Sequence, residues 1–159
     1  MSLLKERWLI WVTSLILGCT FIYSSYHKIA DPPDFAKVIY NYHLVPGVLI
    51  HPASIYMPWF ELLGGLAVLT GIWRRGAAFG FLLMSLLFIA ALGFNLYRGH
   101  PTVCGCFGTF AAGESWTDAQ KFAKMWREIL VDVGLVILSL QILYGTACAE
   151  AEAQETEEA

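Results

Sequence analysis

The sequence predicts an all-α integral membrane protein: a four-helix bundle with an extracytoplasmic interfacial helix and a cysteine-bearing loop. The first observation is composition, since 57% of the 159 residues are hydrophobic, only 14% are charged and the mean hydropathy is +0.58. A soluble domain of this size carries more charge and less apolar surface. The second is a set of four apolar runs, each near the ~20 residues of a spanning helix. The third is a polar stretch between the last two runs, "RGHPTVCGCFGTF", which holds two cysteines.

The four apolar runs form one predicted domain, 1–147, with spans at 8–26, 53–73, 76–97 and 129–147. We expect helices because a helix satisfies its own backbone polar groups in lipid. The first run continues past Cys19 without a cleavage pattern, so it is read as an uncleaved helix with Cys19 packed in its core. Residues 148–159 hold five of the thirteen acids and are predicted to be a flexible acidic tail.

Two shorter elements flank the spans. After a Pro-Pro pair, four apolar residues recur at helical spacing, which predicts a short helix in the membrane interface that ends before Pro46: Phe35, Val38, Ile39 and Tyr42. Thr117 and Gln120 have the spacing of a capping box, so a helix is expected to start there and continue into the fourth span.

Basic residues suggest the orientation. Four spans place both termini and the Arg74–Arg75 turn on one side. The side with the termini carries four basic residues and the longer loops carry six, so a raw count favours termini outside the cytoplasm. The density of basic residues favours termini inside it, with four in about twenty residues against six in more than about fifty. We therefore expect a bacterial inner-membrane protein with cytoplasmic termini and an extracytoplasmic cysteine loop, where thiols can be oxidised.

Cys104 and Cys106 are separated by Gly105, whose backbone freedom lets the two thiols reach each other. A disulfide in so small a ring is expected to be strained and to exchange readily. Phe107 and Gly108 then predict a tight turn packed on the membrane surface.

Three interpretations of the pair stay open. Arg98 and His100 lie near in sequence and can stabilise a reactive thiolate, which favours a redox-active pair. An inert disulfide is weakened because so short a loop constrains the unfolded chain little. A copper or zinc site would use the soft thiolates, but a second Cys or His cluster at ligand spacing is missing, so no metal ligand is assigned. No basic run suggests nucleic acid.

Charged residues within the spans are the other informative feature. If the second helix effectively starts near Pro58, Glu61 and Lys28 lie at one depth and can form an ion pair. Asp132 also lies in the outer half, so the three side chains are expected to converge beneath the cysteine loop. A buried pair that fixes helix register and a role in proton handling are both consistent with this pattern.

The segments "YHKIADPPDF", "IYNYHLVP", "PWFELLGGLAVLTG" and "CGCFG", in that order, resemble the MauE branch of the DoxX-like membrane proteins over roughly residues 8–145. The resemblance implies a four-helix, redox-associated membrane protein that works with a thioredoxin-like partner in disulfide formation. DoxD-like relatives suggest a quinone as the electron partner. The residues that match the family patterns are Lys28, Asp31, Pro46, Pro58, Glu61, Cys104, Gly105, Cys106, Phe107 and Gly108.

The functional expectation is a thiol–disulfide oxidoreductase, or an electron-transfer component of one, that connects an extracytoplasmic thioredoxin-fold protein to a quinone or another carrier. Cys19 is alone within the membrane and Cys148 lies at the other end, so an internal thiol relay is not expected. The alternatives are a non-catalytic subunit or assembly factor of a larger redox complex, and a copper- or zinc-binding membrane protein. The expected partners are membrane lipid, the thioredoxin-fold protein and other membrane redox subunits.

Overall fold

The computed structural model describes residues 7–102 and 116–157, and all regular secondary structure in these ranges is α-helix. The helices are α1 (Arg7–Ala30), α2 (Pro32–Asn41), α3 (Gly47–Thr70), α4 (Arg74–Tyr97) and α5 (Asp118–Glu157). Every one except α2 is long and apolar enough to cross a membrane. The predicted all-α fold with four spanning helices is therefore confirmed.

The chain runs up and down through the bundle. Helix α1 packs mainly on α3 and α4 on α5, while α3–α4 and α1–α5 contacts close the bundle. Residues 31–46 and 98–117 consequently connect helices at the same end, which we call the loop end. The termini and the turn at 71–73 lie at the other end.

Helix α3 differs in both bounds from the predicted second span. It begins at Gly47 and includes Pro52 and Pro58, so it does not start near Pro58. The two proline rings remove N–H donors without ending the helix, which membrane helices tolerate. It stops at Thr70 because Gly71 adopts a left-handed conformation, φ 83°, and its N–H donates to the Ala67 carbonyl.

Helix α5 is longer than the predicted fourth span. Its 40 residues extend for about 60 Å, roughly twice the thickness of a bilayer core. The predicted capping box is present at its start: the Thr117 N–H donates to Gln120 Oε1 at 2.9 Å, and the Gln120 N–H donates to Thr117 Oγ1 at 3.4 Å. At the other end the helix continues past residue 147 through Glu157. The flexibility of the tail stays a prediction.

The predicted short helix is present as α2 and covers the loop end of the bundle, and its position in the membrane interface stays a prediction. Asp31 caps it by accepting the Asp34 N–H at 3.2 Å, and Pro32 occupies the first turn, where its missing N–H costs nothing. Phe35 and Val38, one turn apart, are buried together with Tyr42 against Leu92 of α4 and Met125 of α5. This apolar face fixes α2 across the bundle.

The packing is tightest between α1 and α3. A side chain at Gly65 would bring its Cβ within 2.8 Å of Ile22 and 3.1 Å of the Gly18 carbonyl oxygen. Only glycine allows the two backbones to approach so closely, the usual role of small residues between membrane helices. Toward α4, the rings of Phe21 and Phe81 stack with centroids 3.8 Å apart.

The distribution of polarity is that of a membrane protein. Large apolar side chains point outward from the spans, as at Leu63, Leu87 and Ile137, whereas hydroxyl groups such as Ser14 and Ser139 are buried. A soluble bundle has the opposite arrangement. The bundle interior is therefore where polar and charged groups meet.

Candidate functional site

The centre of the site is an ion pair between Lys28, in the last turn of α1, and Glu61 of α3. Lys28 Nζ donates to both Glu61 carboxylate oxygens, at 2.6 and 2.8 Å, and the side chains are only 3% and 1% exposed. Ser24, one turn before Lys28, donates to Glu61 Oε2 at 3.4 Å. A bidentate, fully buried contact of this kind is the geometry that a charge within a membrane bundle requires.

Two aromatic rings enclose the Lys28 ammonium group. It lies 5.0 Å from the ring centroid of Phe35 in α2 and 5.5 Å from that of Phe88 in α4. Both distances allow a cation–π attraction, which is stronger when the cation is desolvated. The ion pair is therefore held by four helices, two through charge and two through aromatic faces.

Helix α5 brings two further carboxyl groups to this interior. Lys124, Glu128 and Asp132 follow one another at i, i+4 spacing and lie on one face of the helix. Lys124 Nζ is 2.5 Å from Glu128 Oε1, and Glu128 is 2% exposed. Asp132, 3% exposed, has no ion-pair partner among the described residues. It faces the charges of Glu128, Lys28 and Glu61.

Several buried hydrogen-bonding groups of the described residues have no hydrogen-bond partner. Among the described residues, Tyr42 Oη, Ser85 Oγ, Asn95 Nδ2 and Asp132 Oδ2 are buried with no hydrogen-bond partner. Burial raises the pKa of the Tyr42 phenol well above its ordinary value of 10.0, and the Asp132 and Glu128 carboxylates raise it further. Tyr42 is therefore a neutral hydroxyl at physiological pH.

The segment that leads toward the cysteines starts directly on this cluster. Thr102 is buried, and its backbone N–H donates to Met125 Sδ at 3.4 Å. Met125 is fully buried and lies one turn before Glu128 on α5. The segment is thus anchored at Thr102, next to the α5 turn that precedes the charged cluster.

An apolar cavity of about 460 Å³ lies on the other side of the aromatic rings. Helices α2, α3 and α4 line it, and Phe35 and Phe88 form part of its wall. These are the two rings that contact Lys28. A single layer of aromatic side chains therefore separates the cavity from the buried ion pair.

The structure brings together part of the predicted site. Lys28, Glu61 and Asp132 converge around one small cavity, and the predicted ion pair is present. Arg98 and His100 are exposed; the Arg98 guanidinium lies 5.3 Å from the Phe94 ring centroid, away from the buried charges. Outside the described residues lie Cys104, Gly105, Cys106, Phe107 and Gly108.

Cys19 corrects one prediction. Its side chain is exposed on the outer face of α1 and is not packed in the core. Apolar residues occupy every face of the helix around Cys19, so the sequence periodicity does not show whether Cys19 points inward or outward.

Sequence reasoning missed several members of the cluster, chiefly Glu128, Tyr42 and Ser85. The i, i+4 spacing of Lys124, Glu128 and Asp132 could have indicated Glu128. Residues at this spacing share one helix face, and Asp132 lies within a span. Nothing in the sequence distinguishes Ser85 from other polar residues within the spans.

A family model and three relatives of known name all indicate the same family. A model of the family described as methylamine utilisation protein MauE matches residues 6–145. The chain is similar to the methylamine utilization protein MauE of Methylophilus methylotrophus, 29% identical over 106 residues, which cover 66% of this chain and 56% of that protein. It is similar to the MauE of Paracoccus denitrificans, 23% identical over 147 residues, covering 92% and 74%.

A third relative is the MauE of Methylorubrum extorquens, 30% identical over 81 residues, which cover 50% of this chain and 44% of that protein. The matched region thus spans about half the length of two of these three relatives. No solved structure matches the chain.

Proposed function

This chain belongs to the MauE family of membrane proteins, and on that premise we propose that it is a thiol–disulfide redox protein of methylamine utilisation. Cys104 and Cys106 cycle between dithiol and disulfide. They pass electrons between an extracytoplasmic thioredoxin-fold partner and a quinone or another lipid-dissolved carrier.

The observation that carries this proposal is the anchoring of Thr102. Its contact with Met125 starts the cysteine-bearing segment directly above the buried charges. Cys104 follows Thr102 by two residues, and two residues of backbone span at most about 7 Å. This short covalent link to an anchored residue supports a role for the cysteine pair at the loop end of the bundle.

The chemistry balances with a two-electron carrier. In the oxidising direction, two S–H bonds break and one S–S bond forms, which releases two electrons and two protons. A quinone takes up both electrons and both protons and becomes a quinol. On the aqueous side, exchange with the partner passes through a mixed disulfide.

The 460 Å³ cavity supports a lipid-dissolved carrier. Its volume falls in the ~300–1,000 Å³ range of small-molecule sites. The lining is apolar, from Leu44 and Met57 to Phe94, so it suits the hydrocarbon part of such a molecule. The cavity and the anchored Thr102 both lie in the layer that α2 covers.

Two other functions compete with this one. A non-catalytic subunit or assembly factor would use the disulfide only to shape a docking loop. In a copper- or zinc-binding protein, the metal would need the loop thiols as ligands, because no group of three His, Cys, Asp or Glu side chains in 7–102 and 116–157 can hold a metal.

The test measures the reduction potential of the Cys104–Cys106 pair and the metal content of the same purified sample. A redox-active pair equilibrates with glutathione buffers, and removing either cysteine should trap a thioredoxin-fold partner on the other as a mixed disulfide. The Cys19→Ser and Cys148→Ser variants serve as controls and should trap nothing. A potential below about −300 mV, or near one equivalent of metal lost in either loop variant, would overturn the proposal.

A further inference from the structure

The buried cluster contains more carboxyl groups than cations. Glu61 is paired with Lys28, and Glu128 is paired with Lys124. Asp132 is the third acid and has no ion-pair partner among the described residues. With all three acids ionised, the cluster would hold one net negative charge inside the bundle, and an uncompensated charge there is costly. It is electroneutral when it holds one proton.

The surroundings of Asp132 are suited to hold and move a proton. Helix α1 presents Lys28 toward it and α3 presents Glu61, while Glu128 lies one turn earlier on its own helix. Tyr42, which follows α2, also faces it, and α4 contributes the uncharged hydroxyl of Ser85. Asp132 Oδ2 and Ser85 Oγ are both buried without a hydrogen-bond partner, so each atom can still form a hydrogen bond.

A small cavity with a mostly apolar lining lies between Asp132, Ser85 and the Lys28–Glu61 pair. Its volume is about 10 Å³, near the lower limit for one water molecule. Asp132, Ser85, Ser24 and the Lys28–Glu61 pair line it. A water molecule there would have the two to four polar partners that buried water requires.

We propose that Asp132 is the proton-binding residue of this cluster and exchanges its proton through a water molecule held between Asp132, Ser85 and the Lys28–Glu61 pair. The two ion pairs are structural and keep their charges, whereas Asp132 is the group whose charge changes.

The role of this proton rests on the proposed function. Asp132, protonated at rest, gives its proton toward the quinone as the quinol forms, and one of the two protons released by oxidation of the dithiol restores it, so Asp132 is unchanged over the cycle. Asp132 acts on proton movement and does not bond to sulfur.

The first experiment is infrared spectroscopy of the purified protein in lipid, in H₂O and in D₂O. A protonated carboxylic acid gives a C=O stretching band above the amide I band, and the band shifts in D₂O. We expect that band in the wild type and in Asp118→Asn, which removes an exposed carboxylate at the start of α5 outside the cluster, and its loss in Asp132→Asn. Absence of the band in the wild type, or its persistence in Asp132→Asn, overturns the proposal.

Thermal unfolding provides a second reading. Asparagine reproduces the shape of a neutral aspartic acid, so Asp132→Asn should unfold at or above the wild-type temperature, whereas Glu61→Gln strands Lys28 and should unfold lower. If Asp132→Asn does not fold, the result contradicts a neutral Asp132. Asp132→Glu retains a carboxyl group at this position, so a proton bound there requires that the infrared band persists at a shifted frequency.

Turnover separates this inference from the proposed function. With a reduced thiol partner and a short-chain quinone, Asp132→Asn should reduce quinone at least tenfold more slowly with an unchanged KM for the partner, and Asp132→Glu should recover most of the rate. If the wild type does not reduce quinone, the proposed function fails while the infrared band still decides the proton site. Wild-type turnover by Asp132→Asn would remove Asp132 from the proton path.

Discussion

Lys28 and Glu61 form a bidentate ion pair, with N–O distances of 2.6 and 2.8 Å, that joins the last turn of α1 to the interior of α3. The pair links helices through residues that are separated by 33 positions in the sequence. It also places one cation between two aromatic rings, so four of the five helices meet at one charge.

Breaking this pair on one side should destabilise the bundle. Glu61→Gln leaves Lys28 buried without a counter-charge, and such losses typically amount to ~3–5 kcal/mol. Lys28→Met combined with Glu61→Met removes both charges and should recover most of the stability. Thermal unfolding in detergent and membrane yield measure both. Additive losses in the double variant would show that the pairing contributes nothing.

The close approach of α1 and α3 gives a second prediction. Gly65→Ala places a Cβ against Ile22 and the Gly18 carbonyl, so the helices must separate at a cost of ~1–3 kcal/mol. Gly76→Ala is the matched control, because no atom outside its own stretch of helix lies within 4 Å of the position that its Cβ would take. It should be neutral, or stabilising by up to about 1 kcal/mol through helix propensity. Equal unfolding temperatures for the two variants would contradict the observed packing.

Tyr42 should make the protein sensitive to alkali. Its pKa is raised in the folded state, so above pH 10 the unfolded chain loses the phenol proton while the folded protein retains it. The stability that this difference provides is complete below pH 10 and falls as the pH rises, by up to about 1.4 kcal/mol per pH unit. Tyr42→Phe should flatten that part of the profile, and Tyr40→Phe, at an exposed position, should not. Unfolding measured from pH 8 to pH 11 gives the comparison.

The orientation in the membrane can be tested with the cysteines themselves. We expect Cys104 and Cys106, after mild reduction, to react in intact cells with a thiol reagent that cannot cross the inner membrane. A variant that retains Cys148 alone should react only after the cells are permeabilised, because an odd number of spans separates it from the loop. The reverse pattern would invert the topology.

Four membrane helices, the amphipathic α2 and the cap at Thr117 follow from the sequence by itself. Each depends on local physical chemistry: run length against bilayer thickness, the spacing of Phe35 and Val38, and a side chain that bonds to a backbone group three residues away. The cysteine pair is likewise read directly from the sequence, and its redox role stays a proposal. The bounds of α3 were harder to predict from the sequence. Proline usually marks a helix boundary, but Pro52 and Pro58 are tolerated inside this membrane helix.

Only the tertiary structure decided which polar groups share an environment. Lys28 and Glu61 were predicted to meet because a second helix starting near Pro58 would place both at one depth. The pair forms although that helix starts at Gly47. The membership of Tyr42 and Ser85 depends on how the helices rotate and cross, which is set by close contacts such as that between Gly65 and Gly18. The Lys124–Glu128 pair is local to α5, but the Lys28–Glu61 pair joins two helices. Only the packing of these helices shows that both cations are paired and that Asp132 has no ion-pair partner among the described residues.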